Sequence, residues 1–308
     1  MTVMTVRGEM PVEEMGTTYM HEHILADSDF DGSDRNLVID DVDVAVEEIR
    51  HFKKAGGNTI VEQSCMGLGR NVVGLKRISE ETGVNIIACT GFYRECSYPD
   101  FVRHDTAEQL AERMIRELRS GIDNTGIRPG ILAEVATDYQ AIGMSTLEQK
   151  VFTAIAYAQT ETKLPVSTHC WAGSLAFEQI DILTRNGVPP GKIIIGHLAV
   201  DDRVKDHVLK IADKGVYIGV DAIGYEDEPA LLMKDRGKAR FVKELIDRGF
   251  LRRISMSQDL LRKLLLKHYH GIGYDYLLTR FVPMLLEAGV QQDEIETILV
   301  QNPRDIFS

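Results

Sequence analysis

Of the nine histidines in the 308-residue chain, four stand at the ends of short apolar, β-branched runs. His21 and His23 form a His-x-His pair closing the first run, His169 closes the fifth and His197 the sixth. Two carboxylates join them: Glu134, within Ile131-Leu132-Ala133-Glu134-Val135, and Asp259, at the end of the eighth run. Residues two apart on a strand point the same way, so His21 and His23 share one side. Imidazole and carboxylate suit zinc, manganese, iron or cobalt. Four imidazoles and two carboxylates exceed what one tetrahedral ion uses; they suit two ions about 3.5–4 Å apart with one carboxylate bridging. A lone histidine at a strand end is more often a hydrogen-bonded core residue, and it is the coincidence at several strand ends that points to metal.

Such a cluster needs strands that converge. Candidate strands occupy residues 17–23, 58–64, 85–91, 131–136, 165–170, 192–197, 216–223 and 254–259. Stretches of helical period follow at 42–55, 72–82, 106–121, 146–162, 175–187, 203–215, 239–249 and 276–288, most of them ended by glycine, a helix stop signal. Strand ends recur on average about every 34 residues, near the roughly 31 per unit of an eight-fold barrel. The expectation is one α/β domain over 1–308: a (β/α)8 TIM barrel with a short hairpin in the first 15 residues closing its bottom and a final helix within 290–308. In such a barrel, function collects at the C-terminal strand ends, where the six groups lie. A doubly wound open sheet is the alternative. It normally carries a glycine-rich phosphate fingerprint after its first strand, and here that place holds His-Glu-His.

Composition narrows the class. Hydrophobic residues at 44% and charged residues at 27% describe a globular rather than a disordered chain. With 35 Lys and Arg against 47 Asp and Glu, the net charge is −12, which repels phosphate backbones and anionic lipid. The expected partner is a small molecule, not nucleic acid or a membrane. No run approaches 18 apolar residues, and no secretory signature is present. Cys65, Cys89, Cys96 and Cys170 form no C-x-x-C pair; we read them as free thiols of a cytoplasmic protein.

Further motifs make the chain recognisable: Gly16-Thr17-Thr18-x-x-His21-Glu22-His23, Thr90-Gly91-Phe92-Tyr93, Thr168-His169, Ile195-Gly196-His197, Ile218-Gly219-x-Asp221-x-Ile223-Gly224, the Asp259 strand end, Gly273-Tyr274-Asp275-Tyr276 and Asn302-Pro303. Over roughly residues 10 to 307 it resembles the phosphotriesterase-like branch of the amidohydrolase superfamily. The resemblance implies that His21, His23 and Asp259 hold a buried ion, that His169 and His197 hold a more exposed one, and that Glu134 bridges them. Most of that family bridges with a carboxylated lysine; Glu134 resembles the phosphotriesterase-homology subgroup, and glutamate likewise brings one charge and two oxygens. The implied cofactors are two divalent ions, zinc first, with manganese, cobalt or iron as alternatives. The implied reaction is hydrolysis of an ester-like bond, with a bridging hydroxide attacking and Asp259 carrying the proton. A lactone is the favoured substrate, in its sharpest version a phosphorylated sugar lactone; a phosphotriester, or a silent metal-containing binding protein, are the rivals. Tyr93 stands where lactonase members place a tyrosine near the ions, and Arg262 resembles their basic residues that bind a remote phosphate. Lys263 and Lys267, with Lys234, Arg236, Lys238 and Arg240 before them, extend this basic cluster; His268-x-His270 reads as loop surface and Asp221 as a structural cap of the barrel top. Many members keep an acid just after the sixth-strand histidine, whereas here Leu198-Ala199-Val200 intervene before Asp201 and Asp202. A homodimer is the family-level expectation.

Overall fold

The apolar runs become a ring of parallel strands in the computed structural model, which describes residues 1–138 and 142–308. An antiparallel hairpin, β1 (Thr2–Thr5) and β2 (Gly8–Pro11), comes first. The first barrel strand is β3 (Thr18–Glu22), and a small pair, β4 (Ala26–Asp27) and β5 (Val38–Ile39), decorates the loop after it. The ring continues through β6 (Thr59–Glu62), β7 (Asn85–Ile87), β8 (Cys89–Thr90), β9 (Ile131–Ala136), β10 (Val166–His169), β11 (Ile193–Ile195), β12 (Tyr217–Val220) and β13 (Ile254–Met256). β3 pairs with β6 and β6 with β7; β8 to β13 pair in sequence order, all parallel. β7 and β8 are halves of the third expected strand, parted at Ala88. Between the eighth and first positions the ring closes through a backbone bond, the Asp259 N–H donating to the His21 carbonyl at 3.1 Å. These strands are buried almost throughout, as a parallel sheet covered by helices requires.

Two register shifts bear on function. Tyr19 and Glu22 of β3 face Ile60 and Glu62, three residues against two. Leu132 and Val135 of β9 face Val166 and Thr168 in the same ratio. An extra residue bends a strand and re-aims its side chains. The extra residues fall beside His21 and Glu134, the side chains that must turn toward the barrel axis.

The expected hairpin and final helix both plug the barrel. Val3, Met10, Val12 and Met15 pack with Ile87, Ile131, Ile194 and Tyr217 inside the ring, and Ile306 and Phe307 join them from the C-terminus. The end helix runs Gln292–Glu296, a π-helical turn Thr297–Gln301, then Asn302–Phe307; a like turn, Leu277–Phe281, precedes Val282–Glu287. Each π turn lies just before a proline, Pro283 or Pro303, whose missing N–H would otherwise leave the α-helical ladder broken.

Helix Val42–Lys54 shows how the outer layer is specified. The Asp41 carboxylate accepts from the Asp43 and Val44 N–H groups and starts it. It buries Ala45, Ile49 and Phe52 and stops at Gly56-Gly57. Gly57 is required, because a Cβ there would lie 2.2 Å from the Phe52 ring. That ring sits edge-on to Tyr19 of β3, centroids 4.6 Å apart, with neither residue exposed. Phe52→Ala should therefore destabilise the protein by about 3–5 kcal/mol, read as a fall in the urea midpoint at unchanged slope; a loss below about 1 kcal/mol would mean that this contact does not anchor the first strand. Among the described residues, no helix is long and apolar enough to cross a membrane.

Candidate metal centre

All six groups expected at the site converge at the C-terminal mouth. Glu134 is the hub. Its Oε1 lies 2.8 Å from His169 Nδ1, 3.3 Å from His197 Nε2 and 3.4 Å from His21 Nε2, and its Oε2 lies 3.7 Å from His23 Nε2. Asp259 Oδ1 is 3.3 Å from His23 Nε2 and 3.7 Å from His21 Nε2. Three groups bring their ligand atoms within 4.8 Å of one another: His21, His23 and Glu134; Glu134, His169 and His197; His21, His197 and Asp259.

Other residues fix the orientation of these side chains. Asp221 accepts from the His197 backbone N–H at 3.0 Å and bonds its ring Nδ1 at 2.8 Å, leaving Nε2 to face Glu134. Ser64 Oγ bonds His23 Nδ1 at 3.0 Å, which turns His23 Nε2 to the centre in the same way. His197 and Asp259 both adopt left-handed backbone conformations, φ 57° and 56°, strain of the kind that surrounding structure must hold in place. Asp201 is taken up elsewhere, bonded to the Arg203 guanidinium at 2.6 Å, so no acid soon after His197 enters the site.

The donor set fits divalent cations. Glu134, Asp221 and Asp259 bring three negative charges into a buried space, and His21 Nε2, itself buried, makes no hydrogen bond there. His169 Nδ1 and His197 Nε2 stand 2.7 Å apart and aim at the same carboxylate oxygen. Burial opposes ionisation of Glu134, but His21 and His169 outweigh it and hold the carboxyl well below the usual carboxylate range. Burial likewise opposes protonation of His21, yet Glu134 and Asp259 outweigh it and raise the imidazole to about 9. A metal ion must displace that proton. Its affinity should therefore fall about tenfold per pH unit for each displaced proton as pH drops below 9, read by chelator competition at several pH values. An affinity independent of pH would remove His21 from the ion's surroundings.

Above the cluster lies a pocket of about 310 Å³. Tyr93, Trp171, Ala222, Leu231 and Leu261 supply apolar walls, while Arg94, Glu228 and Arg262 supply charge. The Tyr93 ring stands edge-on to His169 at 5.3 Å; burial, then Glu134, raise its hydroxyl well above its usual range, so it stays a neutral donor. Arg262 lines the pocket, but its guanidinium is bound to Glu228 at 2.8 Å. The remaining basic residues do not gather there. Lys263 meets Asp40 at 3.7 Å, Lys267 meets Asp275 at 2.5 Å, and Arg236 meets Glu287 at 2.9 Å. Lys238 is buried against Asp235 and the Ala222 carbonyl, and Lys234 donates to the Glu228 carbonyl. His268 is half-exposed beside Glu47. Sequence reasoning passed over Trp171, Tyr225 and Glu228 as pocket residues. Trp171, the single tryptophan, two residues beyond His169, offered the one available signal.

The sequence and the fold are similar to those of known proteins. The model of the Phosphotriesterase family matches residues 1–307. The phosphotriesterase homology protein of Escherichia coli (strain K12) is 33% identical over 302 residues, 97% of this chain and 100% of that protein. Its crystal structure, with phosphate in the active site, superposes with a TM-score of 0.90 at 32% identity, covering 96% of this chain and 99% of that one. The N-acetyltaurine hydrolase of Xenopus tropicalis is 31% identical over 98% of this chain and 96% of its own length. A lactonase from Listeria monocytogenes superposes with a TM-score of 0.92 at 27% identity, covering 100% of this chain and 99% of that one. The chain is thus a hydrolase belonging to the phosphotriesterase family.

Proposed function

We propose that residues 1–308 act as one barrel domain that hydrolyses an ester-like bond at a carbonyl carbon, with two divalent ions at the barrel mouth and a lactone carrying an anionic tail as substrate. A phosphorylated sugar lactone is the sharpest form of this reading. The observation that carries it is Glu134, a buried carboxylate within 2.8–3.7 Å of ring nitrogens from four histidines, two of which, His169 and His197, line a mainly apolar pocket. His21, His23 and Asp259 would hold the inner ion, His169 and His197 the outer one, and Glu134 both. Zinc is our first assignment, with manganese, cobalt or iron fitting the same donors. Such ions acidify bound water and polarise a carbonyl oxygen.

The chain's own groups do the rest. Asp259 is the carboxylate of the cluster that lines the pocket, so its Oδ atoms take the proton of the attacking water and return it to the leaving oxygen. The Tyr93 hydroxyl donates to the substrate near its reacting carbonyl. Trp171, Leu231 and Leu261 exclude water around the ring. Arg262 takes the anionic tail as a two-pronged donor once that tail replaces Glu228. Four unpaired thiols suit a reducing compartment, and on that ground we place the protein in the cytoplasm. The family expectation of a homodimer is retained.

A second reading is hydrolysis of a small anionic N-acyl amide. The N-acetyltaurine hydrolases favour it, because an amide carbonyl with an anionic tail would meet the same cluster and the same arginine. On metal-loaded protein, a pH-indicator assay for the lactones and the phosphotriester, with detection of the freed amine for the amides, decides. It compares lactones with and without a phosphate, N-acyl amides with and without an anionic tail, and a simple phosphotriester. Faster turnover of phosphorylated lactones supports the first reading, and turnover of anionic amides alone supports the second. Hydrolysis of the phosphotriester alone would put the chemistry at phosphorus. No turnover of any of these by a protein holding two ions would overturn this substrate class and move the search to other esters, amides and phosphoesters.

A further inference from the structure

Between His21 of β3 and His23 just beyond its end lies a third side chain, whose carboxylate turns to the last strand. Glu22 is not exposed at all and is not among the residues that line the pocket above the cluster. Its carboxylate is nevertheless committed on both oxygens to one short segment. Oε1 accepts from the Ser257 hydroxyl at 2.7 Å and from the Gln258 N–H at 2.6 Å. Oε2 accepts from the Leu260 N–H at 3.0 Å. These donors bracket Asp259, whose own N–H runs back to the His21 carbonyl. Ser257 Oγ also accepts the His21 N–H at 3.0 Å, which completes a closed ring of bonds between the first and last strands.

Asp259 needs such a hold. Its φ of 56° lies in the left-handed region, which aspartate enters more readily than most residues with a side chain but which the surrounding bonds must still hold. From above, Tyr225 donates to the Asp259 carbonyl at 2.5 Å and accepts from the Leu261 N–H at 3.0 Å. From below, Glu22 takes the backbone N–H groups on either side of it, while the Gln258 side chain donates to the Gly273 carbonyl and accepts from the Leu277 N–H. Buried backbone N–H groups bonded to a carboxylate make strong, directional anchors.

We infer that Glu22 is a positioning residue for Asp259: it keeps the strained turn at the end of β13 closed so that the Asp259 carboxylate faces the pocket. The inference rests on the proposed role of Asp259. The sequence His21-Glu22-His23 thus does two jobs through strand alternation, metal ligation on one face and support of the proton carrier on the other.

The test uses the full chain with Glu22→Gln, Glu22→Asp, Asp259→Asn and the double variant Glu22→Gln/Asp259→Asn. Glutamine has the same shape, but its NH2 would face a backbone N–H in place of an accepting oxygen. Aspartate keeps the charge and falls short by one CH2. Both single variants at Glu22 should lower kcat by about 10- to 100-fold while KM changes less than about threefold, as expected when a reacting group is misplaced by an ångström or less. Glu22→Gln should add nothing on top of Asp259→Asn, since it acts only through that residue. Independently of turnover, amide hydrogen exchange on the metal-free Glu22 variants should show lost protection at Gln258 and Leu260, with the strand ends at His169 and His197 unchanged. Additive effects in the double variant, or exchange at Gln258 and Leu260 unchanged in either folded Glu22 variant, would overturn the inference. Should Glu22→Gln fail to fold, Glu22→Asp and its own double variant with Asp259→Asn carry the same two readouts. Loss of activity in Asp259→Asn is the separate check of the underlying reading: if that variant is fully active while exchange still changes, the clamp stands and the proton-carrier role falls.

Discussion

If the proposed two-ion centre is right, Glu134→Gln should reduce bound metal to at most one ion per chain and lower hydrolysis by about 10³-fold or more. Glutamine keeps the size of glutamate but loses the charge and one accepting oxygen. At most other positions that change is mild. Here the side chain is 1% exposed and stands within 3.7 Å of nitrogens from His21, His23, His169 and His197. Without its charge, these imidazoles lose the group that draws cations toward them, and one that could bridge is gone. Elemental analysis of dialysed protein, read beside activity and a melting curve, separates loss of metal from loss of fold. A Glu134→Gln protein that keeps two ions and works within tenfold of the parent would sink the bridging assignment.

Asp259→Asn should behave differently, keeping metal while kcat falls by about 10²- to 10⁴-fold, the range for removing a general acid–base group. Asparagine retains an oxygen that can face His23, now 3.3 Å from the carboxylate, but cannot accept a proton at neutral pH. The pair of variants thus divides the centre into a group that assembles it and a group that works it. Retained activity in Asp259→Asn would remove the proton-carrier role. Loss of both ions would show instead that Asp259 acts mainly as a ligand.

The basic residues teach a lesson about surface charge. Arg262, Lys263 and Lys267 stand close together in the sequence, as a phosphate site would have them, and only Arg262 reaches the pocket. Lys263 and Lys267 find Asp40 and Asp275, and Arg236 finds Glu287. In a chain with 47 acidic residues, most cations meet a nearby carboxylate before they meet a ligand. Exposed pairs of this kind contribute little to stability, at most about 1 kcal/mol, so their pattern in the sequence is weakly constrained. The Arg262–Glu228 pair sits at the pocket and is the exception with consequences, because on the proposed reading a substrate anion would have to replace Glu228 there.

The residues of the candidate metal cluster were legible because each stands at or near the end of an apolar run, and a parallel barrel brings all strand ends to one mouth. Period-two alternation told which side His21 and His23 share, and the eight runs told how many strands there are. Even the hairpin plug and the final helix followed from pattern, though the helix from Asp235 began earlier than its apolar period, since Lys234-Asp235-Arg236 reads as polar loop. What pattern could not carry are relations between residues far apart in the chain. Asp221 looked like a cap, and only its bonds to the ring and the N–H of His197, 24 residues away, give it an orienting role. Glu22 and the segment from Ser257 to Leu260 are more than 230 residues apart and meet because the last strand closes on the first. The residue types and their placement along strands follow from local chemistry, which the sequence states directly. Distances, left-handed turns and the partner each charge selects depend on ring closure and on where loops land, and these exist only once the whole chain has folded.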